Sequence, residues 1–276
     1  MNPPQPPFPR FSASDITSAE RNGEVFFRGA RATSAVSQAE ADELAAKLAR
    51  ERADAAARGE PTVGSDGGYP YPSQGLVEPV LEQVFLPASS PAVEIGRITR
   101  NNYEAAVLNT YGVMFVDVDT MAAPDTSPDR IVDQDIALSA LVAACEERKD
   151  LGFRVYATRA GLRYLCTSRT FDPVSTESHE LLHSLKSDPR YATLCRVQKC
   201  YRARITPKPW RCVEPAKPKG FFAKIFQSGP VPSDPANFAT CHFLQAVGSA
   251  VADPAAAKIQ QLHDDACGAQ SSRPLA

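Results

Sequence analysis

Long apolar runs are missing from this chain of 276 residues: none approaches the ~20 residues needed to cross a bilayer. The N-terminal segment Met-Asn-Pro-Pro-Gln-Pro-Pro-Phe-Pro-Arg lacks the basic and apolar regions of a secretory signal. No C-x-x-C occurs. The seven cysteines (Cys145, Cys166, Cys195, Cys200, Cys212, Cys241, Cys267) are odd in number and irregular in spacing, which argues for reduced thiols and against a disulfide framework. These absences predict a cytoplasmic protein without a membrane partner. Zinc at Cys195, Cys200 and Cys212 is not expected, because two of them fall in segments that read as helix and strand. An excess of charge is also missing, since the formal net charge is only −2. That balance hides a segregation. Residues 101–150 carry ten acids against three bases, and residues 190–224 carry ten bases against the single acid Glu214. Such a split suits either a polar site that handles polyanions or two faces that pair with each other.

The most informative segment present is Val113-Met-Phe-Val-Asp-Val-Asp119, an apolar run of strand length ending in two carboxylates. Residues i and i+2 of a strand share a face, so Asp117 and Asp119 project together. Paired carboxylates repel unless protons or a cation lie between them, and hard oxygen ligands suit Mg²⁺ or Mn²⁺.

Composition divides the chain into a Pro-rich, partly disordered region 1–80 with one helix (37–58), a single α+β domain 81–268, and a disordered tail 269–276. Ser37 stands three residues before Glu40, a capping-box spacing, and Leu44 with Leu48 forms the thin apolar stripe of that helix. Within the domain we expect strand 92–99, helix 101–110, a central strand 112–118, helix 133–148, and, flanking that strand, a hairpin of strands 153–158 and 162–167. Asp-Pro occurs at 172–173, 188–189, 234–235 and 253–254. Aspartate at an N-cap and proline at N1 each start helices, which predicts helices near 173–186, 189–198, 235–247 and 254–266. A strand at 200–206 completes a mainly antiparallel sheet with packed helices, an α+β arrangement.

Several basic residues could serve an anion held by the acid pair. Arg159 lies at the hairpin turn and Arg163 on its return strand, and a guanidinium fork fits phosphate oxygens in a bidentate manner. In Cys-Tyr-Arg-Ala-Arg-Ile-Thr-Pro-Lys-Pro-Trp-Arg (200–211), Arg202 and Arg204 share a strand face, and Lys208, Trp210 and Arg211 follow in a Pro-stiffened loop. Cations interleaved with an aromatic suit a phosphate backbone and a stacking base, although a buried Trp210 anchoring the loop explains that residue equally. His179-Glu180-Leu-Leu-His183 matches the zinc-peptidase pattern H-E-x-x-H. Its histidines, however, fall well over ~90° from the stripe of Val174, Leu181, Leu182 and Leu185, so a solvated face is expected and zinc is not. His263-Asp264-Asp265 reads as an exposed helix end.

The segments F-R-V-Y-A-T-R-A-G-L-R (153–163), F-D-P (171–173), L-C-R-V-Q-K-C-Y-R-A-R-I-T-P-K-P-W-R (194–211), A-T-C-H-F (239–243) and L-H-D (262–264) together resemble a bacterial family of hypothetical proteins over residues 95–266. That resemblance implies a shared fold and no particular activity. The Asp117/Asp119 strand also resembles the acidic h-h-h-D-h-D motif of archaeo-eukaryotic primases and primase-polymerases. Arg159 or Arg163 stands where that family carries histidine, and 190–213 offers no third acid. The resemblance implies an RRM-like or primase-like core and metal-dependent nucleotidyl transfer. The sequence therefore supports phosphoryl or nucleotidyl transfer on nucleotides or nucleic acid, with Mg²⁺ or Mn²⁺ on Asp117 and Asp119. Phosphate would be held by Arg159, Arg163, Arg202, Arg204, Lys208 and Arg211. A non-catalytic nucleic-acid-binding module and a zinc hydrolase on His179, Glu180 and His183 are the alternatives.

Overall fold

Asn22-Gly23 sets the first element. Both residues take positive φ (54° and 81°), the backbone of a two-residue hairpin turn, and join β1 (Phe11–Arg21) to β2 (Glu24–Ser34). The structure, a computed structural model, describes residues 11–34, 36–60, 78–101, 105–121, 131–208, 211–214 and 231–276. Helix α1 (Gln38–Ala57) packs on the hairpin, and the Ser37 hydroxyl accepts from the Glu40 amide as the capping box requires. Its buried face is Ala41, Ala45, Ala49, Ala53 and Ala56, spaced to fall on one stripe, whereas Leu44 is exposed. The expectation of disorder before residue 35 is thus corrected for 11–34, and the stripe is alanine rather than leucine. Trp210 and residues 61–77 lie outside the described residues.

Two four-stranded antiparallel sheets follow. The first has the order β3-β4-β5-β9, from β3 (Val80–Phe85), β4 (Glu94–Arg100), β5 (Ala106–Thr110) and β9 (Tyr201–Arg204). The second has the order β12-β7-β8-β6, from β6 (Phe115–Asp119), β7 (Gly152–Thr158), β8 (Gly161–Cys166) and β12 (Cys241–Gly248). A short ribbon pairs β10 (Val213–Glu214) with β11 (Val231–Pro232). Helices α2 (Gln134–Glu147), α3 (Thr176–Ser184), α4 (Pro189–Gln198) and α5 (Pro254–Cys267) complete an α+β fold. One apolar cluster draws on both sheets and on all four of these helices, while Cys200, and Cys212 with Phe238 and Ala276, form two small separate clusters.

Four local expectations are corrected. Segment 101–110 contains β5, not a helix: Val107, Leu108, Asn109 and Thr110 are all buried between β4 and β9, and tertiary pairing overrides the Glu-Ala-Ala signal. Asp234-Pro235 starts only a 3₁₀ turn (Pro235–Asn237), after which β12 replaces the expected helix 235–247. Strand β6 is an edge of its sheet rather than its centre. The tail 269–276 is packed: Ala276 is fully buried, and Leu275 bridges Ala239. Where Asp-Pro does start helices, Asp188 and Asp253 cap α4 and α5 through their carboxylates.

The core also holds a misfit. The Tyr164 ring is fully buried and its hydroxyl has no hydrogen-bond partner among the described residues. Tyr164→Phe removes an uncompensated polar atom at constant shape and should raise stability by about 1 kcal/mol in a urea melt. A loss of that size instead would mean that the hydroxyl is satisfied in solution.

Candidate functional site

Antiparallel register fixes which side chains share a face of the second sheet. Phe243 of β12 pairs with Tyr156 of β7, Tyr156 with Arg163 of β8, and Arg163 with Asp117 of β6, so these four form one row across all four strands. Asp119, opposite Gly161, lies on the same face one step along. The His263 ring of α5 rests on this face, with centroids 5.3 Å from Phe115 and 4.8 Å from Tyr156.

Arg163 is the hub of the row. It is 5% exposed; its Nη1 donates to the Arg204 carbonyl at 2.9 Å and lies 3.2 Å from His263 Nε2. Burial opposes its charge, but Cys241, Cys267 and Asp117 outweigh that and raise its pKa. Burial likewise pushes the Asp117 carboxyl upward, against the pull of Arg163 and Arg204, with Lys208 adding to that pull and Asp188 opposing it. Arg204 is brought down to about 10 by burial and by the like charges of Arg163 and Arg211. Its Nε is buried without a hydrogen-bond partner. The edge of β6 beside Asp117 is closed by the start of α4, where the Asp188 amide donates to the Asp117 carbonyl at 2.8 Å.

Asp117, Arg163, Arg204, Lys208 and Arg211 therefore act on one another, joined by Asp188, which sequence reasoning treated only as a helix cap. Arg202 does not join them. Its Nη2 lies 2.6 and 2.7 Å from the two Glu78 oxygens, just before β3, and its Nη1 donates to Gln198 at the end of α4. Arg159 sits exposed at the hairpin tip with its Nη1 near the Leu275 carbonyl.

A second group lies beyond Arg163. Cys241 Sγ is 3.8 Å from His263 Nε2, and the donor atoms of Cys241, His263 and Cys267 all fall within 4.8 Å of one another. Among the described residues this is the one group of three His, Cys, Asp or Glu side chains close enough to share a metal ion. His263 is fully buried, which corrects the reading of 263–265 as an exposed helix end. Its Nδ1 lies 3.1 Å from Asp264 Oδ1, and Asp264 in turn accepts from the Tyr156 hydroxyl at 2.7 Å and from Arg154 Nη2 at 3.0 Å. Cys267 and His263 bring the Cys241 thiol below the ordinary thiol range, while burial and its neighbour Cys241 hold Cys267 well above it. The signal in the sequence was His263-Asp264 with Cys267 one helical turn later, where i and i+4 share a face. No periodicity could bring Cys241 to them from a different strand. This group sets a possible metal site against the expectation that zinc has no place in the protein.

The H-E-x-x-H histidines have other surroundings. They line an open depression of about 660 Å³ with Val174, Thr176, Glu180 and Arg196. Arg196 Nε donates to His179 Nε2 at 3.1 Å, placing a cation where a zinc ion would sit. Burial and that guanidinium lower the His179 pKa. Cys195, Cys200 and Cys212 are buried but do not come together as a ligand set. No helix among the described residues is long and apolar enough to cross a membrane. Compared with known proteins, the chain matches no family model, no curated protein and no solved structure.

Proposed function

We propose that the face of the second sheet around Asp117 binds the phosphates of a nucleotide or nucleic acid and carries out phosphoryl or nucleotidyl transfer with Mg²⁺ or Mn²⁺. One observation carries this reading. Two guanidinium groups, Arg163 and Arg204, act on the half-buried Asp117 carboxylate, and the Arg204 Nε has no hydrogen-bond partner among the described residues. Like charges crowded together, with the ionisation of Arg204 lowered and a donor left over, suit an anionic ligand. Arg163, Arg204 and Lys208 act on Asp117 together with Asp188, and Arg211 adds its charge beside Arg204. A bare divalent cation entering at Asp117 and Asp119 would meet a surplus of positive charge, so it is expected to arrive with a polyphosphate. Bound there, the cation would neutralise charge on the phosphorus undergoing transfer. The residues' own work is to ionise Asp117 against its burial, to orient phosphate oxygens through Arg163 and Arg204, and to attract the polyanion through Lys208 and Arg211. The acidic strand's resemblance to primase cores favours nucleotidyl transfer within this class.

Equilibrium binding of Mg²⁺-bound nucleoside triphosphates and of short single-stranded DNA and RNA tests the proposal. Arg204→Gln should weaken binding by about 10–100-fold, the worth of a charge-assisted hydrogen bond. Asp117→Asn should remove the dependence on Mg²⁺ and any turnover. Binding that persists without metal dependence or turnover would favour the non-catalytic module. Absence of Arg204-dependent binding to any of these probes would overturn both readings.

A further inference from the structure

We propose that Cys241, His263 and Cys267 bind one zinc ion, at a site separate from the Asp117 acid pair and independent of the reading given for it. Zinc bonds of about 2.3 Å to sulfur and 2.0–2.1 Å to nitrogen place tetrahedral donors roughly 3.5–3.8 Å apart. The Cys241 Sγ to His263 Nε2 separation is 3.8 Å, and all three donors lie within 4.8 Å, so small side-chain rotations close the set. All three residues are at most 1% exposed, which gives the shelter from bulk water that such a site requires.

The surroundings of His263 are the second, independent observation. A zinc-bound histidine commonly donates its remaining ring N–H to a carboxylate, which fixes the tautomer and aims the other nitrogen at the metal. His263 meets that condition: Nδ1 faces Asp264 at 3.1 Å, Asp264 is itself held by Tyr156 and Arg154, and Nε2 points to the two sulfurs. By contrast, the H-E-x-x-H histidines belong to no group of three ligating side chains among the described residues, and His179 Nε2 lies 3.1 Å from the Pro173 carbonyl. The donor set selects the ion. Two thiolates and an imidazole favour zinc over Mg²⁺, Mn²⁺ or Ca²⁺, which take oxygen.

Two consequences follow for the fold. Cys241 lies on β12 and the other two donors on α5, so the ion ties that helix to the sheet. Arg163 Nη1 now lies 3.2 Å from the same His263 Nε2 whose lone pair the metal would take. Metal loading and this contact exclude each other, and on loading Arg163 keeps only its bond to the Arg204 carbonyl and its proximity to Asp117.

Metal analysis of the full chain, purified without chelator and dialysed against zinc-free buffer, should find one zinc per chain. Replacement by Co²⁺ should give the visible bands of a tetrahedral site together with a thiolate-to-cobalt transition in the near ultraviolet. Cys241→Ser, His263→Gln and Cys267→Ser should each lose the zinc, while Cys195→Ser and the double variant His179→Ala/His183→Ala should keep it. Because buried variants can fail to fold, the unmodified protein supplies a second measurement. Zinc should protect two more cysteines from a thiol reagent than the chelated form protects. No zinc, no tetrahedral cobalt spectrum, a Cys241–Cys267 disulfide seen as a loss of two hydrogens in the intact mass, or zinc that disappears with His179 and His183 would each overturn the assignment. All these readouts are taken without nucleotide, so their failure leaves the phosphate-site reading standing, and failure of nucleotide binding leaves the zinc count standing.

Discussion

Arg202→Ala is expected to cost about 3–5 kcal/mol of folding stability, because it leaves the Glu78 carboxylate buried without its partner. The two side chains are 7% and 9% exposed, and Arg202 Nη2 reaches Glu78 Oε1 at 2.6 Å. Thr99 donates to Glu78 Oε2 at 2.6 Å, and the Asn109 amide donates to Thr99 at 2.8 Å, so a chain of polar groups crosses the inside of the first sheet. A half-satisfied network in low dielectric is worse than none. The double variant Glu78→Met/Arg202→Met, which removes both charges, should recover most of the loss. Urea titration of the parent, both single variants and the double variant measures this directly. A single-variant cost below about 1 kcal/mol would place the pair in solvent, where exposed bridges are worth no more than that.

Gly161→Ala should be the most damaging small substitution near the acid pair. A Cβ there would lie 2.0 Å from the Val118 carbonyl oxygen and 2.8 Å from the Thr120 amide, both backbone atoms of or next to β6. Neither can rotate away, so β6 and β8 must separate at the Asp119–Gly161 pair. Overpacking normally costs about 1–3 kcal/mol, and a collision with fixed backbone belongs at or above the top of that range. If Asp119 serves the phosphate site, Gly161→Ala should also weaken Mg²⁺-dependent nucleotide binding in whatever fraction remains folded. A variant as stable as the parent in thermal melts would show that the hairpin tip can move.

The sequence was most legible where local chemistry decides the structure. Asp188-Pro189 and Asp253-Pro254 each supply a capping carboxylate and a fixed φ, and both helices start there. The alternation of residues 153–166 produced a hairpin whose register places Arg163 opposite Asp117. It was misleading where long-range pairing decides. Ala106–Thr110 carries helix-compatible residues, yet lies between two strands, one of them from far along the chain. Asp234-Pro235 gave the same local signal as the true caps, but the alternating Cys-His-Phe that follows pairs with β7 instead. Asn22-Gly23 was a hairpin signal hidden by the Pro- and Ser-rich composition around it. The grouping of Cys241 with His263 and Cys267 was illegible for a different reason, since proximity between a strand and a helix leaves no mark on spacing.

The placement of β9 also constrains how the protein is made. Val107 and Arg204 are paired in the first sheet although roughly 100 positions separate them, a non-local contact of the kind that slows folding. At ribosomal rates of about 5–20 residues per second, β5 waits on the order of 5–20 s for its neighbour to be synthesised. During that interval its outer edge presents open N–H and C=O groups, a template for pairing with other chains. The Glu78 carboxylate, meanwhile, has no Arg202 to meet. Nascent chains stalled between residues 110 and 200 are accordingly the species most prone to aggregate and most in need of a chaperone, and expression yield should respond to translation speed through that interval more than to any change in the finished core.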